Sequence, residues 1–254
     1  DEETQIEKAY ISEPKAIVKM NNVEYKNFKE LGDAIVNLED NQQTTVEILR
    51  DMSLLSTGEG LTIPENKDIV LDLKGYKIIT GKQETIVNNG TLKITDTSET
   101  AGSIVSSTLD SIINNGILKI DNGTLSMKGI KTAVVQNNGT LEMTGGIIEA
   151  SGPSDYDKGY GINNKDGGIV TIKEGATIRS NGRGVYLVYN EGNGEVNLEG
   201  GTITGAGYST GIYNKGTGTV NVKSGTISGT TADSTGIYND STGTINVTGG
   251  KIKE

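Results

Sequence analysis

The sequence predicts an all-β fold, a single-stranded parallel β-helix with three short strands in each coil of about 25 residues. Three observations carry this. Seven asparagines, Asn88, Asn114, Asn137, Asn164, Asn190, Asn214 and Asn239, recur at intervals of 23 to 27 residues. Each stands two positions after an aliphatic residue (Ile86, Ile112, Val135, Ile162, Val188, Ile212, Ile237). A short alternating segment then follows, as in Leu92-Lys93-Ile94, Leu118-Lys119-Ile120 and Val220-Asn221-Val222. A fixed period of 20 to 50 residues is the mark of a repeat that stacks on itself. Alternation within each segment sends aliphatic side chains to one face and polar ones to the other.

Residues 1–40 lack the repeat. Ala16–Met20 and Val23–Tyr25 read as a small hairpin around Asn21-Asn22. Asn27 with Glu30 three positions on reads as a capping box, opening a helix that runs to about Leu38. Leu31, Ile35 and Leu38 form its apolar stripe. Hairpin and helix together are expected to close the open end of a solenoid spanning residues 41–254.

Within the coils, the first strand ends on the recurring asparagine and the second is the alternating segment. The third centres on one inward aliphatic: Ile104, Leu125, Ile147, Ile178, Ile203, Ile227 or Ile252. Gly145-Gly146, Gly200-Gly201 and Gly249-Gly250 turn corners that need positive φ. If Ile212 points inward, Tyr213 points out and Asn214 points in. An inward amide is costly unless satisfied, and a column of stacked amides satisfies itself. The seven asparagines are therefore expected to form a ladder that holds coil register.

Composition narrows the function. Net charge is -10, with no basic stripe for nucleic acid and repulsion from anionic membrane surfaces. No run of 18 apolar residues offers a bilayer-spanning helix. Cys and His are both absent, which removes disulfides, thiolate chemistry and the commonest general base and metal ligand. No metal or cofactor is expected.

The phrases IVNNGTLKI, IINNGILKI, VNLEGGTITG, VNVKSGTISG and INVTGGKIK resemble those of pectate-lyase-like right-handed parallel β-helix domains. These domains occur in large surface proteins and adhesins of Gram-positive bacteria. The resemblance covers residues 41–254 and implies a right-handed coil. It also implies an extracellular location, at the cell surface or cell wall, as part of a longer chain. The ending Lys251-Ile252-Lys253-Glu254, in mid-pattern, agrees with that expectation.

Pectin-active members of the resembled superfamily carry clustered acids on an outer face, and related hydrolases pair two carboxylates. Here the outward position of the first strand reads Val87, Ile113, Gln136, Asn163, Tyr189, Tyr213, Tyr238, with no acid. The second reads Lys93, Lys119, Glu142, Thr171, Asn197, Asn221, Asn246, with one. The family's catalytic residues do not carry over, so no catalytic residue is assigned. A non-enzymatic spacer or adhesive module is expected, with a polysaccharide lyase or glycoside hydrolase, or a degenerate relative, as the competing reading.

Two features are candidates for contact with a glycan or a host or bacterial surface protein. One is the outward column Tyr189, Tyr213 and Tyr238. The other is the longest connection, Glu149 to Gly161, containing Asp155, Tyr156, Asp157 and Tyr160. Asp155-x-Asp157-x-Gly159 is a fragment of a calcium loop without its remaining ligands.

Because no histidine is present, thermal stability is expected to stay nearly constant between about pH 5 and 8. Melting temperatures recorded across that window check this; a large change would contradict it.

Overall fold

A computed structural model describes residues 16–55, 60–81, 84–107, 110–127, 132–152 and 159–253. It is a parallel β-solenoid. The first strands of the coils build one eight-stranded parallel sheet, from Leu61–Ile63 through Ile86–Asn88 to Thr235–Asn239. Second and third strands join in a larger sheet. In the late coils these two strands run together as Glu195–Gly205 and Thr219–Gly229, with a register shift near Gly200 and Gly201.

Register is constant from coil to coil. Ile86 lies on Ile112, Ile112 on Val135, and Asn88 on Asn114. Leu118 lies on Leu92 and Leu141, and Ile120 on Ile94 and Met143. Ile86, Ile112, Val135, Ile162, Val188 and Ile212 are all fully buried, as are Leu92, Leu118, Leu141, Val170, Val196 and Val220. The core is thus a prism of equivalent aliphatics, each packed on its counterpart one strand spacing away.

The asparagine ladder is present. Nδ2 of each member donates to Oδ1 of the next, at 2.8, 2.7, 2.8, 2.7, 2.7 and 2.9 Å from Asn88 to Asn239. The second N–H of Asn164, Asn190 and Asn214 donates to Gly168, Gly194 and Gly218 O, at 2.9, 2.8 and 3.1 Å. Asn88 to Asn214 are fully buried. Asn88 Oδ1 has no donor, because Ile63 stands below it in register. The pairs Asn115-Gly116 and Asn138-Gly139 reflect this packing. A Cβ on Gly116 would lie 2.1 Å from Gly90 O, and one on Gly139 would lie 2.2 Å from Gly116 O. Close approach of backbones, not φ, demands glycine at this corner. At the next corner φ does: Gly146, Gly201 and Gly250 sit at +70°, +70° and +82°.

The N-terminal elements seal the first coil. Val18–Met20 pairs antiparallel with Val23–Tyr25 across Asn21 and Asn22, whose φ values of 50° and 63° suit a tight hairpin turn. The same strand pairs antiparallel with Gln43–Ile48, Val18 opposite Ile48 and Met20 opposite Val46. This covers an edge that would otherwise present unpaired backbone groups. The helix Phe28–Val36 buries Phe28, Leu31 and Ile35. Asn27 Oδ1 accepts from Glu30 N at 2.8 Å, while the Glu30 carboxylate reaches back to Lys26 N at 2.8 Å, one residue earlier than the expected box. The helix ends at Val36, two residues short of expectation, where Asn37 N turns back to Ala34 O. Lys67, only 8% exposed, donates to Leu38 O and Asp40 Oδ1, both at 2.6 Å, and ties the helix exit to the second coil.

One inward assignment is corrected. Ile147 aligns with Thr124 and Thr177 on the outer face, and Ile148 aligns with Leu125 and Ile178 in the core. Ile148 is fully buried. The Gly145-Gly146 corner sets the frame of this strand, and two adjacent isoleucines left the choice open.

Asn164→Ala removes one rung, leaving Asn190 Oδ1 without its donor and taking one bond each from Asn137 Nδ2 and Gly168 O. Chemical denaturation is expected to show a loss of about 1–3 kcal/mol. Asn239→Ala, at the exposed end, should cost far less.

Candidate functional site: a tyrosine face

The outward row of the first strand reads across the coils as expected, with Tyr189 on Asn163, Tyr213 on Tyr189 and Tyr238 on Tyr213. Two more rings join it. Tyr160 and Tyr186 are aligned in neighbouring coils, three positions before Asn163 and Tyr189. They reach the same face because alternation breaks inside Val185-Tyr186-Leu187-Val188-Tyr189-Asn190. Leu187 and Val188 are both fully buried, so tyrosines three apart both point out. Leu187 is accommodated beside Gly161, where a Cβ would lie 2.5 Å from Leu187 O.

The five rings touch. Centroids lie 5.9 Å apart for Tyr160–Tyr186, 5.2 Å for Tyr160–Tyr189, 5.4 Å for Tyr186–Tyr189 and 4.7 Å for Tyr186–Tyr213. The column continues at 5.4 Å for Tyr189–Tyr213 and 5.2 Å for Tyr213–Tyr238. Tyr186–Tyr189 and Tyr189–Tyr213 are stacked, with interplanar angles of 28° and 26°. Such contacts consume ring faces and add to the stability of the sheet. Tyr189 is only 9% exposed, whereas Tyr238, at the end of the column, is 46% exposed. Ring edges and hydroxyls, rather than open faces, are what most of this surface offers.

A row of charges borders the rings. The residue following each ladder asparagine is Asn89, Asn115, Asn138, Lys165, Glu191, Lys215 and Asp240 in turn. Asn115 and Asn138 continue as a second, exposed amide ladder, with bonds of 2.7 Å to Asn89 and Asn115. Beside the tyrosines the row turns to alternating charge. Lys165 Nζ meets Glu191 Oε2 at 2.7 Å. Lys215 lies 5.8 Å from the Tyr189 ring centroid. Tyr213 donates its hydroxyl to Asp240 Oδ2 at 2.7 Å.

These surroundings shift the titrating groups. Burial, then the neighbouring phenols, raises Tyr160 and Tyr186 above the ordinary phenol value. Burial raises Tyr213 further, joined by its hydrogen bond to Asp240, which only the protonated phenol can donate. The hydrogen bond of Lys215 to Tyr189 holds that ammonium above its usual range.

Among the expected candidates, Tyr189, Tyr213, Tyr238 and Tyr160 come together. Tyr160 belongs to the strand Gly159–Asn164, not to a loop. Asp155, Tyr156 and Asp157 lie outside the described residues. Sequence reasoning missed Tyr186 and the charge row. The row was legible as the position after each ladder asparagine; Tyr186 was hidden by the break in alternation.

Two buried carboxylates elsewhere have structural partners. Asp72 and Asp96 are each 5% exposed. Asp72 Oδ1 accepts from Thr97 N at 3.0 Å and Lys74 N at 3.1 Å, and Asp96 Oδ1 accepts from Gly75 N at 2.9 Å. Both organise turns. A corner cleft of about 430 Å³ is lined by Glu174, Glu199 and the glycines of three coils. Glu199 is hydrogen-bonded to Lys223 at 2.8 Å, which holds its carboxyl below the usual range. Among the described residues, no group of three or more acidic side chains is placed to hold a metal ion, and no helix is long and apolar enough to cross a membrane.

Compared with known proteins, the chain matches no family model, no curated protein and no solved structure.

Because Tyr160, Tyr186 and Tyr213 have raised folded-state values, their contribution to stability is fully present below the ordinary phenol value of 10.0 and is lost as pH rises through the raised ones. Phenolate absorbance is expected to show these three titrating above the ordinary value, with unfolding on the alkaline side. Titration of these three at the ordinary value would contradict the cluster.

Proposed function

We propose that this chain is a non-enzymatic extracellular module, a rigid β-helical spacer whose tyrosine face makes contact with a glycan or a surface protein. The reading includes the relationship to right-handed pectate-lyase-like domains of Gram-positive surface proteins, which rests on the sequence phrases alone. The observation that carries the contact role is the co-location of five tyrosines and four charges on the same four coils. Coils before them carry Val87, Ile113 and Gln136 with Asn89, Asn115 and Asn138 at the same positions. A rod needs only its ladder and core to be a rod. A change of outer-face chemistry confined to one stretch of it points to recognition. Tyr238 is the most exposed of the five rings, and the others offer edges and hydroxyls for hydrogen bonds.

The carbohydrate-active alternative draws on the cleft holding Glu174 and Glu199. Glycoside hydrolysis by two carboxyls needs one of them protonated at the working pH. Lys223 stabilises the ionised form of Glu199, which fits a structural ion pair better than a general acid.

A glycan array probed with the wild-type chain, with and without Ca²⁺, tests the reading. Binding is expected, and Tyr238→Ala and Tyr213→Ala should reduce it about tenfold each. Binding unchanged in both variants would overturn the contact role of this face. Cleavage of an arrayed glycan would establish the enzymatic alternative.

A further inference from the structure

The charges beside the tyrosines follow the order Lys165, Glu191, Lys215, Asp240, one per coil. Coils are about 4.8 Å apart, so the row spans about 14 Å. Its signs read plus, minus, plus, minus. Reversed, the same row reads minus, plus, minus, plus. It is therefore complementary to itself when two copies lie side by side and run in opposite directions, and like charges meet when they run the same way in register.

We propose that this face is a self-recognition surface, on which a second copy of the chain docks antiparallel about a two-fold axis between the rows of Glu191 and Lys215. Rotation about that axis sets Lys165 opposite Asp240 of the second copy and Glu191 opposite its Lys215. Symmetry doubles each pair, so all eight charges find a counterion. A parallel arrangement shifted by one coil also alternates, but it is a head-to-tail contact that does not close. The same axis passes between Tyr189 and Tyr213, so the tyrosine patch is centred on it.

The surface is accessible. Lys165 and Glu191 are 34% and 41% exposed, and Lys215 and Asp240 are exposed. Within one copy each charge already has a neighbour of the row or a phenol: Lys165 with Glu191, Lys215 with Tyr189, and Asp240 with Tyr213. Docking lays a second alternating row across the first, so that each charge gains a further counterion instead of exchanging one. Tyrosine edges at the centre supply the apolar contact.

The patch is small. Four coils of one strand's width amount to a few hundred Å² per copy, against about 800 Å² in a stable interface. The association is therefore weak and concentration-dependent, of the kind that becomes firm through many copies on facing surfaces. Antiparallel pairing suits rods projecting toward one another from two surfaces, not neighbours on one. This inference rests on the proposed reading of the tyrosine face as a contact surface, and names its partner.

Sedimentation equilibrium of the wild-type chain over a wide concentration range is the test. A dimer that weakens with added salt is expected. Glu191→Lys or Lys215→Glu alone should weaken it about tenfold or more, because like charges then face each other. An equimolar mixture of the two variants should associate again as a heterodimer, and the double variant should pair like the wild type. Melting temperatures close to wild type show that the variants fold. A wild type that stays monomeric at about millimolar concentration, where weak complexes form, would overturn the proposal. So would a mixture that fails to associate while the wild type dimerises. On the glycan array, the wild-type chain against Tyr238→Ala and Tyr213→Ala reads the contact role separately from the charge reversal. Failed charge reversal with intact wild-type glycan binding therefore sinks the self-pairing alone, whereas glycan binding unchanged in both tyrosine variants, with intact pairing, sinks the glycan role alone.

Discussion

The structure depends on one constraint: a residue must sit directly above its equivalent in the preceding coil. Backbone pairing between parallel strands tolerates slippage by two residues as far as face is concerned. The buried amide column does not. A slip would put Asn164 over an aliphatic position and strand its N–H groups and carbonyl in the core, where each unmet bond costs heavily. The ladder thus converts a generic stack of alternating strands into one register. Its second set of bonds, from Nδ2 to glycine carbonyls such as Gly194 O, extends the constraint from the strand to the corner that follows.

Corners are where coils are allowed to differ. After Asn88, Asn114 and Asn137 the chain turns at once through a glycine two positions on; after Asn164, Asn190, Asn214 and Asn239 the glycine comes four positions on. The longer corner begins at the same coil where charges replace the exposed asparagines, and tyrosines take over the outer row one coil later, at Tyr189. The ladder continues through this change, since the asparagines and the aliphatic residue two positions before each keep their inward places. A solenoid can therefore vary its surface coil by coil without renegotiating its fold, and the tyrosine face is one such variation.

Termination is solved separately. The ladder stops at Asn88 because Ile63 occupies the position beneath it, and below that level the helix inserts Phe28, Leu31 and Ile35 in place of a further coil. The antiparallel hairpin strand then occupies the edge of Gln43–Ile48, where parallel growth ends. Pairing of opposite direction cannot be extended in the solenoid's own register.

Sequence by itself determined the coil period, the inward and outward faces of most strands, the amide ladder and the hairpin-and-helix start. All of these follow from patterns local to a strand, where side chains alternate with a period of two. Tertiary structure decided what local pattern leaves open. Whether Ile147 or Ile148 enters the core depends on how the Gly145-Gly146 corner is threaded against the coil below. That Tyr186 meets Tyr213, and that five rings share one face, depends on coils of 24 to 26 residues closing to the same height. Neighbours across coils are set by corner geometry, and corner geometry is fixed only when backbones pack.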